Sequence, residues 1–252
     1  MGRLIVLSGP SCIGKGPLHA ALKKLYPDVA ESMRKVVLFN DRAPRPGEVD
    51  GVDYRFRSRK TIEGLRDRPG YKAMEARGDL QAVDIDELKE CLESGDAFFE
   101  GNPFVGTELL DISGVDALGI FLSPLSREEI QEAQDAEGSI DLEALVTDIM
   151  RRKLLRRTQR QKRILSLKDL RNVEKRAGSA FREMKLACRF DYVIPNHDGE
   201  DSENWDAFYH PVADARRTLH AFVSLVRGET PEIAETWAQK LLGGEGEGDQ
   251  GV

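Results

Sequence analysis

An α/β fold with an open parallel sheet covered by helices is what this sequence predicts, and three observations predict it. A short apolar run, Arg3-Leu4-Ile5-Val6-Leu7, has the length of a strand. It leads into Gly9-Pro10-Ser11-Cys12-Ile13-Gly14-Lys15, after which Leu18 to Leu25 has helical spacing. Further apolar runs of strand length recur down the chain, separated by helical stretches, as expected of a parallel sheet with both faces covered.

Strand, glycine loop with lysine, then helix is the setting in which a G-x-x-x-x-G-K match is informative, and it makes the sheet one of P-loop NTPase type. Loop N–H groups and the following helix N-terminus would cradle a polyphosphate, with Lys15 reaching its outer oxygens. Gly9, Pro10, Ser11, Cys12, Ile13, Gly14, Lys15 and Gly16 are therefore the candidate residues for binding a phosphorylated cofactor. Gly16, followed by Pro17, stands where a Ser or Thr hydroxyl would hold Mg²⁺, so no protein ligand to a metal is expected.

With 252 residues, 40% hydrophobic and 32% charged, the chain has room for one α/β domain with inserted subdomains, or for two small domains. Gly2-Arg3 runs straight into the first strand, so no signal peptide is expected, and no apolar run approaches membrane-spanning length. Three widely spaced cysteines, Cys12, Cys91 and Cys188, suit a reducing cytoplasm. Cys12 is expected to fill a small-residue slot rather than to act as a reactive thiol. Residues 151–176 carry twelve Lys/Arg against Asp169 and Glu174, a local charge of +10 that leaves −17 for the rest of a chain of net charge −7. An acidic body with one basic arm favours a mobile element closing on an anion over general nucleic-acid coating.

In order along the chain, a helix is expected to end near Tyr26-Pro27-Asp28, and Arg34–Phe39 to form a second strand. Residues 40–56 contain two prolines and a glycine between Pro44 and Gly47 and read as loop. Arg42 and Arg45, three apart on proline-stiffened backbone, can present fixed forks to phosphate oxygens. A short helix over 60–67 is followed by strands at 71–76 and 80–83 that turn at Arg77-Gly78-Asp79. Residues 84–93 are acidic at the start, apolar at 85, 88 and 92, and stopped by Gly95, which specifies a helix. A strand at 97–100, a helix at 103–112 and a buried strand at 117–122 come next. Residues 126–175 read as helix of increasing basicity, 176–190 as continued helix, and 191–196 as the last strand. A C-terminal helix is expected over 205–226, interrupted near Pro211, then a shorter one over 232–242. The glycine-acidic tail from Gly243 is expected to be disordered.

With these residues in view, the sequence resembles the guanylate kinase family. Arg42-Ala43-Pro44-Arg45-Pro46-Gly47-Glu48-Val49-Asp50-Gly51-Val52-Asp53-Tyr54 matches the motif R-x-P-R-P-G-E-x-D-G-x-D-Y, and Ser58-Arg59 follows as the family's S-R pair. Phe121 to Ser126 resembles the strand that opens the lid. Arg176, Ala180, Glu183 and Met184, then Phe190-Asp191-Tyr192-Val193-Ile194 and Asn196, resemble the ending R-x-x-x-A-x-x-E-M…F-D-Y-V-I-x-N.

The resemblance implies a kinase in three parts: a P-loop core (1–39, 97–124 and 176–227), a nucleoside-monophosphate-binding subdomain (40–96) and an enlarged basic lid (125–175), with 228–252 as C-terminal helix and tail. It implies transfer of the γ-phosphoryl of ATP to GMP with Mg²⁺, giving ADP and GDP. Arg42, Arg45 and Tyr54 would hold the acceptor's phosphate, and Glu75 would accept from guanine. Lys15, with Arg42, Arg45, Arg176 and some of Arg151, Arg152, Arg156 and Arg157, would stabilise the transferring group. Asn196 would sit near the adenine. Gln81 and Asn102 occupy acceptor positions where the family has a tyrosine and an aspartate; Leu38 replaces a serine expected to meet guanine O6, and Asn40-Asp41 replaces two threonines. Two other readings stay open: a kinase of this fold for a different phosphorylated small acceptor, and a largely inactive ligand- or partner-binding module. In the last, the basic arm is the surface on which nucleic acid would bind.

Overall fold

The computed structural model describes residues 2–45, 47–136, 140–162 and 164–243. The predicted tail from Gly243 lies, beyond that residue, outside the described part. β1 (Leu4–Ser8) is buried along its whole length and passes through the glycine loop into α1 (Lys15–Leu25). Pro27 opens α2 (Pro27–Ser32), where a missing N–H is no loss in the first turn. β2 (Met33–Lys35) then pairs in the first sheet, and β3 (Phe39–Asn40) and β4 (Arg55–Phe56) in a second.

The single strand expected over 34–39 is thus two short ones in different sheets. Val36 still donates to the Phe98 carbonyl at 2.8 Å, and by Leu38 the chain has crossed to the second sheet, where Arg55 donates to the Leu38 carbonyl. A continuous apolar run has one pattern whether it stays in a sheet or bridges two, so periodicity could not reveal the crossing.

α3 (Arg59–Glu63) is capped by Ser58; β5 (Tyr71–Ala76) and β6 (Asp79–Asp84) form an antiparallel hairpin; α4 (Ile85–Ser94) is capped by Asp84. β7 (Asp96–Gly101), α5 (Pro103–Leu110) and β8 (Ala117–Ser123) return the chain to the first sheet. The arm is three helices, α6 (Arg127–Asp135), α7 (Leu142–Gln161) and α8 (Leu167–Ala177). Capping boxes at Ser126/Glu129 and Ser166/Asp169 start the first and third, which is why the expected helical run breaks there. α9 (Ala180–Met184) and a 3-10 turn at Lys185–Arg189 replace the continuous helix expected to Phe190. β9 (Tyr192–Pro195) and α10 (Ala213–Val226) follow.

The first sheet has the order β2-β7-β1-β8-β9 with every pair parallel, and the second the order β4-β3-β6-β5. Two apolar clusters cover the first sheet's faces; one contains Val6, Phe99, Phe121 and Phe181, the other Ile5, Leu22, Ile120 and Phe222. β1 sits at the centre, so the loop leaving its C-terminal end emerges at the middle of the sheet, where a ligand site forms in open α/β sheets.

Two C-terminal expectations are corrected. A 3-10 turn at Glu203–Trp205 is followed by irregular chain over 206–212, and α10 begins at Ala213, because Trp205 is held by its indole on the Asp198 carbonyl at 2.8 Å and Pro211 cannot donate to a helix. Residues 232–242 form no α-helix: Glu235 exchanges both backbone hydrogen bonds with Val193, at 2.7 and 2.8 Å, and only Gln239–Leu242 forms a 3-10 turn. The open edge of β9 offered unpaired backbone groups, and pairing them outweighed a weak local helical preference. Among the described residues no helix is long and apolar enough to cross a membrane.

Candidate functional site

The loop after β1 takes its shape from three left-handed residues, Gly9 (φ 147°), Cys12 (φ 71°) and Gly14 (φ 106°). A Cβ at Gly9 would lie 2.5 Å from the Leu122 carbonyl oxygen, and one at Gly14 2.7 Å from the Asn196 amide, so both positions exclude any side chain. Ile13 packs fully buried beneath the loop, and Lys15 folds over it to donate to the Gly9 and Pro10 carbonyls at 2.8 and 2.9 Å. Burial pulls the Lys15 ammonium below the ordinary lysine range, opposed by Glu200 and Glu100.

Cys12 is buried, and burial first, then the Glu200 charge, pushes its thiol up to about 12. A thiol held neutral is a poor nucleophile. An alkylating reagent at pH 8 should therefore label Cys188 and spare Cys12, read by peptide mass; equal labelling of the two would contradict this account.

Facing the loop is a cavity of about 270 Å³ between the two sheets. Of the residues singled out from sequence, Gly9, Ser11, Cys12, Lys15, Arg42, Arg45, Tyr54, Gln81, Asn102 and Arg176 all line it. Arg157 is the one of the four arm arginines that reaches it. Arg42 makes a two-pronged pair with Glu48, both contacts at 2.6 Å, and lies over the Tyr54 ring at 5.0 Å. Among the described residues Arg45 and Arg176 have no carboxylate within 4.0 Å. Desolvation first, then the charges of Arg45, Arg157 and Arg77, pushes Arg176 down to about 10. Desolvation and then Arg42 likewise pull Arg45 below its ordinary value. Guanidinium groups repelling one another across a cavity form a site that an anion would relieve.

Glu75 and Asn196 do not line the cavity, and Asn102 lines it with its polar atoms already engaged. Glu75 is 54% exposed on the opposite face of β5, paired with Arg59 at 3.0 Å and Arg66 at 3.6 Å. Strand alternation decides this: Glu75 lies opposite Leu80 in the hairpin, while Gln81, opposite Met74, points the other way. Asn196 is fully buried, donating to the Ile13 and Asp198 carbonyls at 2.7 and 2.8 Å, so it braces the loop from below and offers no edge to a base. Asn102 lines the cavity, but its oxygen caps α5 at Phe104 and its amide donates to Glu183 at 3.2 Å. Leu38 is in the core.

Residues that sequence reasoning missed also converge here: Asn40, Arg77, Asp79, Glu100 and Glu200. Arg77 donates from Nε and an Nη to fully buried Glu183, both at 2.6 Å, and from its other Nη to Ser11 Oγ at 2.7 Å. One side chain thus ties the β5–β6 turn to the loop and to α9. It was visible in sequence only as part of a turn, and its partner lies 106 residues away.

A magnesium ion is the metal such a loop would be expected to use, and position 16 does not supply the hydroxyl that would hold it. Position 16 has no hydroxyl, although a Cβ there would meet nothing within 4 Å. Among the described residues no three His, Cys, Asp or Glu side chains are grouped to hold a metal. Burial also pushes the Glu100 carboxyl above its ordinary value, against the pull of Lys15.

The family model for guanylate kinase matches residues 1–153 of the chain. The chain is also similar to the crystal structure of guanylate kinase from Anaplasma phagocytophilum, with a TM-score of 0.53 and 18% identity over 90% of this chain and 85% of that one.

Proposed function

The chain belongs to the guanylate kinase family, and on that premise we propose that it is a nucleoside-monophosphate kinase that transfers the γ-phosphoryl of ATP to GMP. The observation that carries the proposal is the convergence of Lys15 with Arg42, Arg45, Tyr54, Arg157 and Arg176 on one cavity between the glycine loop and the second sheet. Phosphoryl transfer asks for little covalent work by the protein and much positioning and charge stabilisation. In this reading the loop's backbone amides and Lys15 hold the donor's phosphates, and Arg42, Arg45 and the Tyr54 hydroxyl hold the acceptor's. Arg157 and Arg176, carried by α7 and α8, act on the charge of the group in transit. Helices α6–α8 serve as the lid and residues 39–84 as the acceptor subdomain. Closure excludes water, which would otherwise take the phosphoryl group.

Asp79 takes the role that sequence assigned to Glu75. Its carboxylate lines the cavity beside Gln81. A carboxylate next to a primary amide complements an edge with two donors and one acceptor, as guanine presents.

The test is a coupled assay for ADP formation with GMP, dGMP, IMP and AMP. GMP and dGMP are expected to be accepted best, and no ADP with any of the four at high enzyme concentration would sink the proposal. A second acceptor is favoured by the commitment of Asn102 to Glu183, which removes one base-reading group; faster turnover with IMP than with GMP would establish it.

Because no residue at position 16 binds the metal, Mg²⁺ enters this reading with ATP as substrate. Gly16→Ser places a hydroxyl in open space at the second residue of α1, where the backbone is ordinary. The variant is expected to reach half-maximal rate at a lower Mg²⁺ concentration, by about tenfold, the order of one added oxygen contact to a charged group. An unchanged magnesium titration would show that this position does not limit turnover.

A further inference from the structure

One histidine stands between the root of the lid and the core. His197 follows β9, and each of its ring nitrogens meets a carboxylate from a different helix. Nδ1 lies 2.5 Å from Asp214 in the first turn of α10. Nε2 lies 2.9 and 3.0 Å from the two oxygens of Glu129 in the first turn of α6.

The core side of this bridge is firmly built. Asn196, just before it, donates to the Ile13 carbonyl of the glycine loop. Asp198, just after it, accepts from Ser202, from Asn204 and from the Ala215 N–H. On the lid side, Glu129 belongs to the capping box that starts α6, so the ring grips the helix end at which the chain leaves β8. Lys153 of α7, the helix that carries Arg157, donates to the His197 carbonyl. Two other polar contacts tie α6 to the C-terminal segment, the Arg127 N–H on Glu235 and the Gln134 amide on the Leu241 carbonyl, and neither includes a histidine.

The chemistry of the ring makes the bridge conditional. An ionised carboxylate only accepts, so bonding one from each nitrogen takes two N–H groups, which only the imidazolium has. A neutral imidazole has one and must release either α6 or α10. Burial favours the neutral ring, but hydrogen bonds to Asp214 and Glu129 outweigh it and lift His197 above its ordinary value of 6.5. Burial also opposes charge on the two carboxylates. The Ser126 N–H and His197 nevertheless hold Glu129 below its ordinary value, and His197 holds Asp214 below its own. The cations beside the group are Lys153 on α7 and Arg217, which pairs with Asp214 at 3.2 Å. The bridge is therefore complete below pH 6.5 and is lost as pH rises through the raised value of His197.

We propose that His197 is a positioning residue for phosphoryl transfer, a cationic bridge that fixes the lid root against the core and releases it on losing its proton. Its effect on rate rests on the transfer reading given above, because the bridge acts through the placement of α7 and Arg157 over the cavity.

Hydrogen exchange in the α6 peptide, corrected for the intrinsic rate, is compared at about pH 6 and about pH 8.5 in wild type, His197→Gln and His197→Arg. Wild type should protect α6 better at the lower pH. Glutamine, with no charge to lose, should leave it weakly protected at both, and arginine, a permanent cation with several donors, should protect it at both. In the coupled assay, wild-type kcat should fall about fivefold over this interval, the upper worth of a half-exposed ion pair. KM for GMP should hold, because Arg42, Arg45 and Tyr54 lie on the other subdomain. His197→Gln should be slow and flat, and His197→Arg fast and flat. The same exchange response in all three proteins overturns the bridge. Altered exchange with a shared kcat profile makes His197 a structural contact and overturns its positioning role. No ADP from wild type overturns the transfer reading, while exchange still decides the bridge.

Discussion

Arg77→Met is expected to lower the stability of the protein by about 3–5 kcal/mol, the usual result of removing one partner from a buried ion pair. Glu183 has no exposure to solvent, and Arg77 supplies two of its hydrogen bonds at 2.6 Å. What would remain is the amide of Asn102 at 3.2 Å and the hydroxyl of Ser179 at 2.8 Å, two neutral donors for a buried carboxylate. In the same arrangement the amide of Asn102 donates to Glu183, which an ionised aspartate there would not do. For a chain of this size the melting temperature should fall by roughly 10 °C. Arg77→Met with Glu183→Met, which removes both charges, should recover much of the loss, because an apolar pair leaves no buried charge unpaired. A single variant that melts with wild type would show that Glu183 is satisfied without Arg77. Because Arg77 also bonds Ser11 in the glycine loop, the variant should bind tripolyphosphate more weakly even well below its melting temperature.

Lys15→Met should lower the transfer rate by about 10³-fold, the scale on which one preorganised cation contributes to phosphoryl transfer. Among the described residues its ammonium bonds to the Gly9 and Pro10 carbonyls, and methionine matches its stem in length, so the fold should survive and the melting temperature should change little. A rate within tenfold of wild type would remove Lys15 from the reaction. The alkaline limb of the wild-type pH profile carries a related sign. Since burial lowers the Lys15 pKa, its proton is lost at lower pH than from an exposed lysine, and turnover should begin to fall correspondingly earlier.

Much of the site was readable in advance because its parts are local. The glycine loop needs residues that tolerate left-handed backbone at 9 and 14, and the motif spells them. Arg42, Arg45 and Tyr54 sit in one contiguous run, and all three reached the cavity. Errors arose where a choice between faces or partners had to be made. Glu75 and Asp79 are four residues apart on one hairpin, and the pleat sends one to solvent and the other to the cavity. A period of two identifies two faces without saying which one meets the ligand. The expected helix at 232–242 lost to an open strand edge that only the assembled sheet provides.

The sequence by itself determined the first strand, the loop and helix that follow it, the proline-stiffened arginine run and the basic character of the arm. Each is set by backbone preferences or charge within a few residues. The tertiary structure alone decided which cations face one another without carboxylates, that Arg77 reaches Glu183 across 106 residues, that Asn196 is sealed below the loop, and that Phe208 and Tyr209 stand exposed beside the first helix. Those outcomes depend on packing and on satisfying buried polar groups among segments far apart in the chain, and no local window contains both partners.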